Sequence, residues 1–314
     1  MVNNSEKQKV SALGKLRRQF SKEGELWVIA IIALVWAALF CFYPMYGIIY
    51  GFFDYYPGMT LAESDFVGFK FLFDFIKLPD FPSIMRNTLV VSLLNMTVGF
   101  VAPIILALLF NELHNRFFKR VIQTISYLPY FVSWVVVASL LMSMLGNDGI
   151  LNNLLLRQGI IDKPIGFLTD GEKFWGLLVG SNIWKSIGYG SIIYISAIAG
   201  IDQEIYQAGA VDGLGRWGMV RHITIPSIMP TVILLFILGL GNILSAGFEQ
   251  QLLLASPTTK EYAEVIDTYV YRYGIQLGNY SLATMVGFVK SIIGIVIVVM
   301  ANLILKKTTK SSIF

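Results

Sequence analysis

Apolar residues are gathered along this chain into six long runs that are separated by polar segments. A membrane-spanning helix needs about 20 mostly apolar residues, because lipid offers no hydrogen-bond partner to an unpaired backbone group. Each run reaches this length, so the pattern predicts an all-α membrane protein with six transmembrane helices. The predicted spans are residues 26–49, 88–110, 121–145, 174–199, 226–247 and 282–305.

The composition favours lipid as the surroundings of this chain. Of its 314 residues, 55% are hydrophobic and 14% are charged, whereas soluble domains carry about a quarter charged residues. The net charge of +4 is not arranged as a basic stripe with interleaved aromatic residues, so we expect no nucleic-acid partner. Cys41 is the single cysteine, which excludes an intrachain disulfide.

The distribution of Lys and Arg predicts the orientation. With the N-terminus inside, the cytoplasmic segments hold more basic residues than the external ones, which favours an N-in, C-in topology. The predicted organisation is a cytoplasmic N-terminal segment (1–25), a six-helix transmembrane domain (26–305) and a cytoplasmic C-terminal tail (306–314). The external loops are the longer ones.

The cytoplasmic loop between the fourth and fifth spans, residues 200–226, is long for a simple turn. Apolar residues at helical spacing predict a short amphipathic helix in it, namely Ile205, Ala208 and Val211 with Leu214. Gly213 ends this helix, and a second short helix at about 217–223 precedes Pro226, which starts the fifth span. Small residues at 208–210 would let the first helix enter a groove on another protein. The loop is therefore predicted to be a docking element.

Residues 206–213 (YQAGAVDG) and 223–230 (ITIPSIMP) resemble the "EAA" signature of ABC-importer permeases. The resemblance implies that this coupling loop inserts into a nucleotide-binding subunit and transmits its closure to the membrane helices. Three positions depart from the common pattern: Gln207 replaces Glu, Gly209 replaces the second Ala, and Leu214 replaces Ala. Helix propensity predicts that Gly209 weakens the helix by about 0.5–1 kcal/mol relative to Ala. The implied ATPase-coupling residues are Tyr206, Gln207, Ala208, Gly209, Ala210, Val211, Asp212, Gly213, Leu214 and Pro226.

Further segments are similar to the carbohydrate branch that imports complex oligosaccharides or polysaccharide fragments, namely 43–52, 86–89, 118–137, 247–254 and 271–287. This resemblance implies a type I importer in the bacterial cytoplasmic membrane. The implied partners are a second homologous permease subunit, two nucleotide-binding ATPase subunits, an extracytoplasmic solute-binding protein, an oligosaccharide substrate and membrane lipid. ATP and Mg would bind to the ATPase subunits.

Enzymatic chemistry is not expected in this chain. A phosphate-binding loop needs glycine where backbone N–H groups face the phosphates, and the nearest echo, residues 180–186, has Trp184 at that position within a span. His114 and His222 lack partners at ligand spacing, so we expect no metal site. We therefore predict no cofactor in this chain.

Polar side chains within the spans are candidates for the substrate pathway. We expect the pathway to use Asn95, Asn182, Trp184, Lys185, Tyr189, Asn242, Glu249 and Lys290. The alternatives are helix–helix contact for the amides and packing or interfacial anchoring for the aromatic rings. Each lysine would face a cavity, pair with a carboxylate or reach the membrane surface. For Lys290, an ion pair with Glu249 or with an acid of another subunit is as reasonable as substrate contact.

Two other classes of membrane protein are open at this point. An ion-driven secondary sugar transporter needs a titratable or cation-binding site inside the bundle, for which the spans offer Lys185 and Lys290 alone. A structural or signalling scaffold would leave the loop around Gly213 unexplained. A further alternative is that the substrate site lies mostly on the second permease.

Overall fold

The computed structural model describes residues 24–309, with side chains to residue 307, and these residues are helical with no β-strand among them. One isolated antiparallel bridge joins Phe53 and Phe66. Residues 1–23 of the predicted N-terminal segment (1–25) and residues 310–314 of the predicted C-terminal tail (306–314) lie outside the described residues. The principal helices are α1 (Gly24–Phe52), α2 (Lys70–Ile76), α3 (Phe81–Glu112), α4 (Arg116–Tyr127), α5 (Trp134–Leu145), α6 (Ile150–Arg157), α7 (Gly171–Ala199), α8 (Gln203–Val211), α9 (Arg216–Leu240), α10 (Phe248–Leu254), α11 (Lys260–Ala263), α12 (Ile266–Val270) and α13 (Tyr280–Thr309).

The described residues divide into two compact units, with the boundary between residues 50 and 51. In the first unit, none of residues 24–50 is buried, although nearly all of this helix is apolar. A helix that is apolar all round is typical of a membrane span.

The second unit has three apolar clusters that fix the other helices. One joins α2 and α3 to α12 and α13, through residues such as Phe75 and Met285. A second packs the start of α7 against α5 and α10. The third joins α3, α7 and α9 near the coupling loop. Close approach of α4 to α7 depends on Gly188, because a Cβ atom there would lie 1.9 Å from the carbonyl oxygen of Ser126.

Helix ends are capped where the sequence supplies a short polar side chain. The Asp170 carboxylate accepts a hydrogen bond from the Glu172 backbone N–H at 3.1 Å at the start of α7. A hydrogen bond from Lys173 lowers the pKa of the Asp170 carboxyl. Asn115 caps α4 by accepting from the backbone N–H groups of Phe117 and Phe118.

Five helical stretches in the described part of the chain are long and apolar enough to cross a membrane: Gly24–Phe52, Phe81–Glu112, Trp134–Arg157, Arg216–Leu240 and Tyr280–Lys307. The predicted fourth span, 174–199, is helical and lies within α7, which has 29 residues. It is less apolar than the five because Asn182, Lys185 and several small polar residues interrupt it.

Two of the predicted spans had the wrong limits. Residues 121–145 are not one helix: α4 ends at Tyr127, a 3₁₀ turn covers Leu128–Phe131, and α5 begins at Trp134. Pro129 has no N–H to donate, which explains the interruption. The predicted fifth span, 226–247, belongs to a helix that runs from Arg216 to Leu240.

The fifth span therefore does not start at Pro226. The predicted second helix at 217–223 is continuous with the span, and a π-helical turn, Val220–Thr224, precedes Pro226. A π turn leaves an extra residue in the helix, and it relaxes the hydrogen-bond pattern where proline can offer no donor.

Candidate functional site

The predicted amphipathic helix of the coupling loop is confirmed as α8. Asp202 caps its first turn, since its carboxylate accepts from the Glu204 backbone N–H at 2.9 Å. The helix ends at Gly213, whose φ of +78° is open to glycine without strain. The backbone N–H of Leu214 then donates to the carbonyl of Gly209 at 2.9 Å, which closes the helix end.

The inner face of α8 is attached to α9. Gly209 is buried, and a Cβ atom there would lie 2.7 Å from Cδ1 of Ile223. The Tyr206 hydroxyl is hydrogen-bonded to the Thr224 hydroxyl at 2.9 Å. The expectation that residues 208–210 all face a partner groove is therefore wrong for Gly209, which faces its own chain. Gly209 allows α8 to pack closely against α9, so the effect of this glycine on stability cannot be predicted from helix propensity alone.

The attachment reaches two further helices. Tyr206 and Leu214 pack against the cluster that contains Ala107 of α3, Tyr194 of α7 and Ile223 of α9. A displacement of α8 is thus opposed by its contacts with α9 and with the apolar cluster that α9 shares with α3 and α7.

The outer side of α8 and the start of α9 expose large apolar side chains among polar ones such as Glu204 and Gln207. Val211 is 89% exposed, Trp217 at the start of α9 is 84% exposed, and Ile205 is 48% exposed. The other exposed coupling residues are Gln207, Ala208, Ala210, Asp212, Gly213 and Pro226. Exposed apolar side chains grouped on a rigid support are typical of a protein interaction surface.

Three of the predicted pathway residues line one cavity of about 240 Å³ between α3, α7 and the end of α9. We call it the asparagine cavity, because Asn95, Asn182 and Asn242 line it. The Asn182 amide donates to the Asn95 side-chain oxygen at 2.9 Å. Its other lining residues are Ser92, Met96, Gly99, Phe100, Phe236, Gly239, Ile243 and Ser245, none of which is charged.

The asparagine cavity also has a polar group without a partner. Ser92 is 5% exposed, and its buried hydroxyl has no hydrogen-bond partner among the described residues. A buried hydroxyl normally finds a partner. The cavity therefore presents amides and a hydroxyl that can bond to an uncharged polar ligand.

Lys185 does not line this cavity. Its ammonium donates to the carbonyl of Tyr130 at 2.7 Å and lies 3.4 Å from the carbonyl oxygen of Pro129. Both carbonyls belong to the break between α4 and α5. The ammonium also lies over the rings of Tyr130 and Trp134, 5.3 and 5.6 Å from their centroids. Backbone carbonyls were not among the partners considered for this lysine. Pro129 was the available signal in the sequence that backbone carbonyls here would lack helical hydrogen-bond partners.

Two aromatic pathway candidates lie near Lys185 and also outside the asparagine cavity. The Tyr189 ring stacks on the Tyr130 ring with centroids 3.8 Å apart. Trp184 is 49% exposed. Glu249 is exposed and close enough to interact electrostatically with Lys185. Of these residues, Lys185 and Tyr189 join the break between α4 and α5 to α7.

Lys290 has a partner that the sequence analysis did not consider. Its ammonium forms an ion pair with Asp267 of α12. The carboxylate in this pair therefore belongs to Asp267 and not to Glu249, while substrate contact at Lys290 stays a prediction. Both side chains are largely buried, so the pair has a structural role in joining α12 to α13.

The loop between α9 and α13, residues 241–279, is held by polar groups that sequence reasoning missed. Asn87 of α3 is fully buried and donates to the carbonyls of Glu261 and Glu264 at 2.7 and 2.9 Å. Arg86 contacts the rings of Trp175 and Tyr262. Burial raises the pKa of Tyr269 to about 12. The adjacent glutamines Gln250 and Gln251, which precede three leucines, were the available signal for buried polar contacts in this segment.

Comparison with known proteins identifies the class. Residues 99–310 match the family described as binding-protein-dependent transport system inner membrane component. The chain belongs to this family, as the coupling-loop resemblance predicted.

Individual relatives cover nearly the whole chain. Protein LplB of Bacillus subtilis (strain 168) is 40% identical over 92% of this chain and 91% of its own length. The polygalacturonan/rhamnogalacturonan transport system permease protein YteP of the same organism is 38% identical over 92% of this chain and 90% of its own. A chain in the crystal structure of a bacterial alginate ABC transporter in complex with alginate pentasaccharide-bound periplasmic protein has a TM-score of 0.85 and 36% identity. That match covers 95% of this chain and all of the other.

Proposed function

We propose that this chain is a permease subunit of an ATP-driven importer for oligosaccharides or polysaccharide fragments. The observation that carries the proposal is α8, a helix that exposes Val211 on its outer side while its inner side is attached to α9 and to the apolar cluster of α3, α7 and α9. Membership of the transport family and the similarity to YteP and to the alginate transporter chain support it. The alternative of an ion-driven secondary transporter finds no support in these relatives.

In this proposal the chain crosses the bacterial cytoplasmic membrane six times with both termini inside. The interrupted pair α4 and α5 is the third crossing, and α7 is the fourth. The lower hydropathy of α7 follows from its place beside a polar cavity, since polar residues in a span face the bundle and not lipid. Irregular backbone at 128–133 is tolerated because Lys185 satisfies its carbonyls.

The coupling loop receives movement from an ATPase subunit. ATP and Mg are bound by the two partner ATPases, and their dimerisation moves the exposed face of α8. Because Tyr206 is bonded to Thr224 and α8 packs against the α3, α7 and α9 cluster, this movement reaches the helices that line the asparagine cavity. Rigid elements in direct contact transmit such displacements.

The asparagine cavity is the part of the solute pathway that this chain supplies, and a second permease supplies the rest. Amide groups can donate to and accept from sugar hydroxyls. Its volume of about 240 Å³ is below the 300–1,000 Å³ typical of small-molecule sites, so this chain contacts a part of the glycan. A solute-binding protein delivers the glycan to the external segments.

The test is co-purification of the complete transporter with the variant Val211→Asp. A carboxylate at this exposed apolar position should disrupt ATPase association and abolish ATP-dependent glycan uptake, because it would be desolvated at the interface. Ile160→Asp is a matched control, since Ile160 is also strongly exposed but lies in the loop before α7. ATPase association that is unchanged in Val211→Asp would contradict the proposal.

A further inference from the structure

Two consecutive glutamines in α10 are buried but differ in their hydrogen bonds. Gln250 donates through its amide to the Leu178 carbonyl at 2.6 Å and to the Ser181 hydroxyl at 2.7 Å, both on α7. Gln251 is fully buried, and its amide donates to the carbonyl of Ala246 at 2.7 Å. That bond fixes which end of the Gln251 amide carries the nitrogen. The side-chain oxygen Oε1 of Gln251 has no donor among residues 24–309.

A second buried oxygen without a donor belongs to Glu264, between α11 and α12. Its side chain is 10% exposed, and Oε2 accepts from the Arg272 guanidinium at 2.6 Å. The other carboxylate oxygen, Oε1, is buried and has no hydrogen-bond partner in the described part of the chain. A buried acceptor that lacks a donor is destabilising, so an unsatisfied carboxylate oxygen requires an explanation.

Both residues line the same small cavity of about 30 Å³. The two oxygens are both acceptors, so they cannot bond to each other, and each requires a donor from another group. The lining hydroxyl of Thr268 is already engaged, because it donates to the Val265 carbonyl and accepts from the Val265 N–H. The other polar lining groups are the cationic side chains of Lys260 and Arg272.

We propose that this cavity binds a single water molecule that donates one hydrogen to Gln251 Oε1 and the other to Glu264 Oε1. A water needs at least about 10–15 Å³ of such volume and two to four polar partners, and this cavity meets both conditions. A metal cation is disfavoured, because two cationic side chains and one carboxylate line the site. An N–H of Arg272 or Lys260 supplies the hydrogen bond to the water oxygen.

The water completes a polar connection between membrane helices. On one side, α10 is bonded to α7 through Gln250. On the other, the Glu264 carbonyl accepts from Asn87 of α3. The bridge from Gln251 to Glu264 therefore holds α10 against the segment that α3 anchors. This inference does not depend on the transport function.

A double-mutant cycle on the purified full-length chain tests the bridge. Gln251→Leu and Glu264→Leu should each lower the apparent Tm, and the double variant should lose about 2–4 °C less than the sum of the two. Either single substitution already removes the water, so the second substitution costs less than it does alone. If the two oxygens only repelled each other, the double variant would instead lose more than the sum of the two single losses. Additive losses, or a double loss larger than the sum, would overturn the proposal.

Gln250→Leu combined with Glu264→Leu is the matched control. Gln250 is equally buried in the next position of α10, but its amide bonds directly to α7. We expect the losses of Tm in this pair to add. Coupling of the same size in the control pair would show that the effect is general loosening of α10, and would also overturn the proposal.

A structure of the unmodified protein at about 2 Å resolution gives an independent measurement. Density for one water is expected within about 3.2 Å of both oxygens. Soaking with Rb⁺ or Tl⁺ should give no anomalous signal at this position. A cation signal, or direct donation to both oxygens from protein groups, would disprove the water site.

Discussion

The coupling loop (200–226) and the segment 241–279 use polar and apolar side chains in opposite ways. The coupling loop leaves Val211 and Trp217 uncovered. The segment 241–279 buries polar side chains such as Gln250 and Gln251 and bonds them to the membrane helices. An apolar surface with no cover in its own chain is suited to a partner, whereas buried hydrogen bonds specify how a segment folds onto its own chain. We therefore expect loss of the exposed side chains Val211 and Trp217 to leave the fold intact, and loss of the buried polar side chains in 241–279 to destabilise it.

The largest expected effect is in the second region, at Asn87. Asn87→Ala removes two hydrogen bonds and leaves the carbonyls of Glu261 and Glu264 without this donor. Because Asn87 is fully buried, we expect the free energy of unfolding to fall by about 2–4 kcal/mol. Denaturant unfolding in detergent measures it. Asn153→Ala is the control, since Asn153 is exposed and makes one such bond, to Asp148; equal losses would contradict the comparison.

A smaller loss is expected at the ion pair of α13. Lys290→Met leaves Asp267 without its cation in a largely buried position, which should cost about 1–3 kcal/mol of unfolding free energy. The double variant Lys290→Met with Asp267→Leu should recover much of this loss, because no unpaired charge remains. Thermal unfolding of the unmodified protein and of these two variants measures the effect. A double variant that is less stable than Lys290→Met would show that the pair stabilises the fold beyond avoiding an isolated charge.

Gly209 tests whether α8 is attached as tightly as its contacts indicate. Helix propensity predicts that Gly209→Ala stabilises the helix by about 0.5–1 kcal/mol. The contact with Ile223 predicts the reverse, a net loss of about 1 kcal/mol, since the added Cβ overlaps Cδ1. Ile223→Val removes Cδ1, so adding it to Gly209→Ala should recover stability. Gly215→Ala is the control, because a Cβ there meets no atom within 4 Å. A stabilising Gly209→Ala would show that Ile223 moves aside freely.

The sequence was sufficient where local pattern decides the structure. The long apolar helices were predicted from the length of the apolar runs. The coupling-loop helix was predicted from helical periodicity and from the turn residue Gly213 that follows it. The partners of Lys185 and Lys290 could not be predicted, because they depend on which helices are neighbours. The irregular backbone at 128–133 shows most clearly the limit of prediction from sequence. Pro129 indicated that a helix would be interrupted here, but the contacts of Lys185 with the backbone carbonyls, which stabilise the interruption, could not be predicted.

The smallest effect on stability is expected at Trp217, where the two regions should differ most. Trp217→Ala removes a large side chain that is 84% exposed, so the unfolding free energy should change by no more than about 0.5 kcal/mol. The affinity for the ATPase subunit should nevertheless fall by about tenfold or more, because exposed aromatic residues on a docking surface contribute strongly to binding. Binding of the purified subunits, measured beside thermal unfolding, separates the two effects. Affinity that is unchanged would place the ATPase contact on α8 alone, whereas a large loss of stability would show that Trp217 is covered within its own chain.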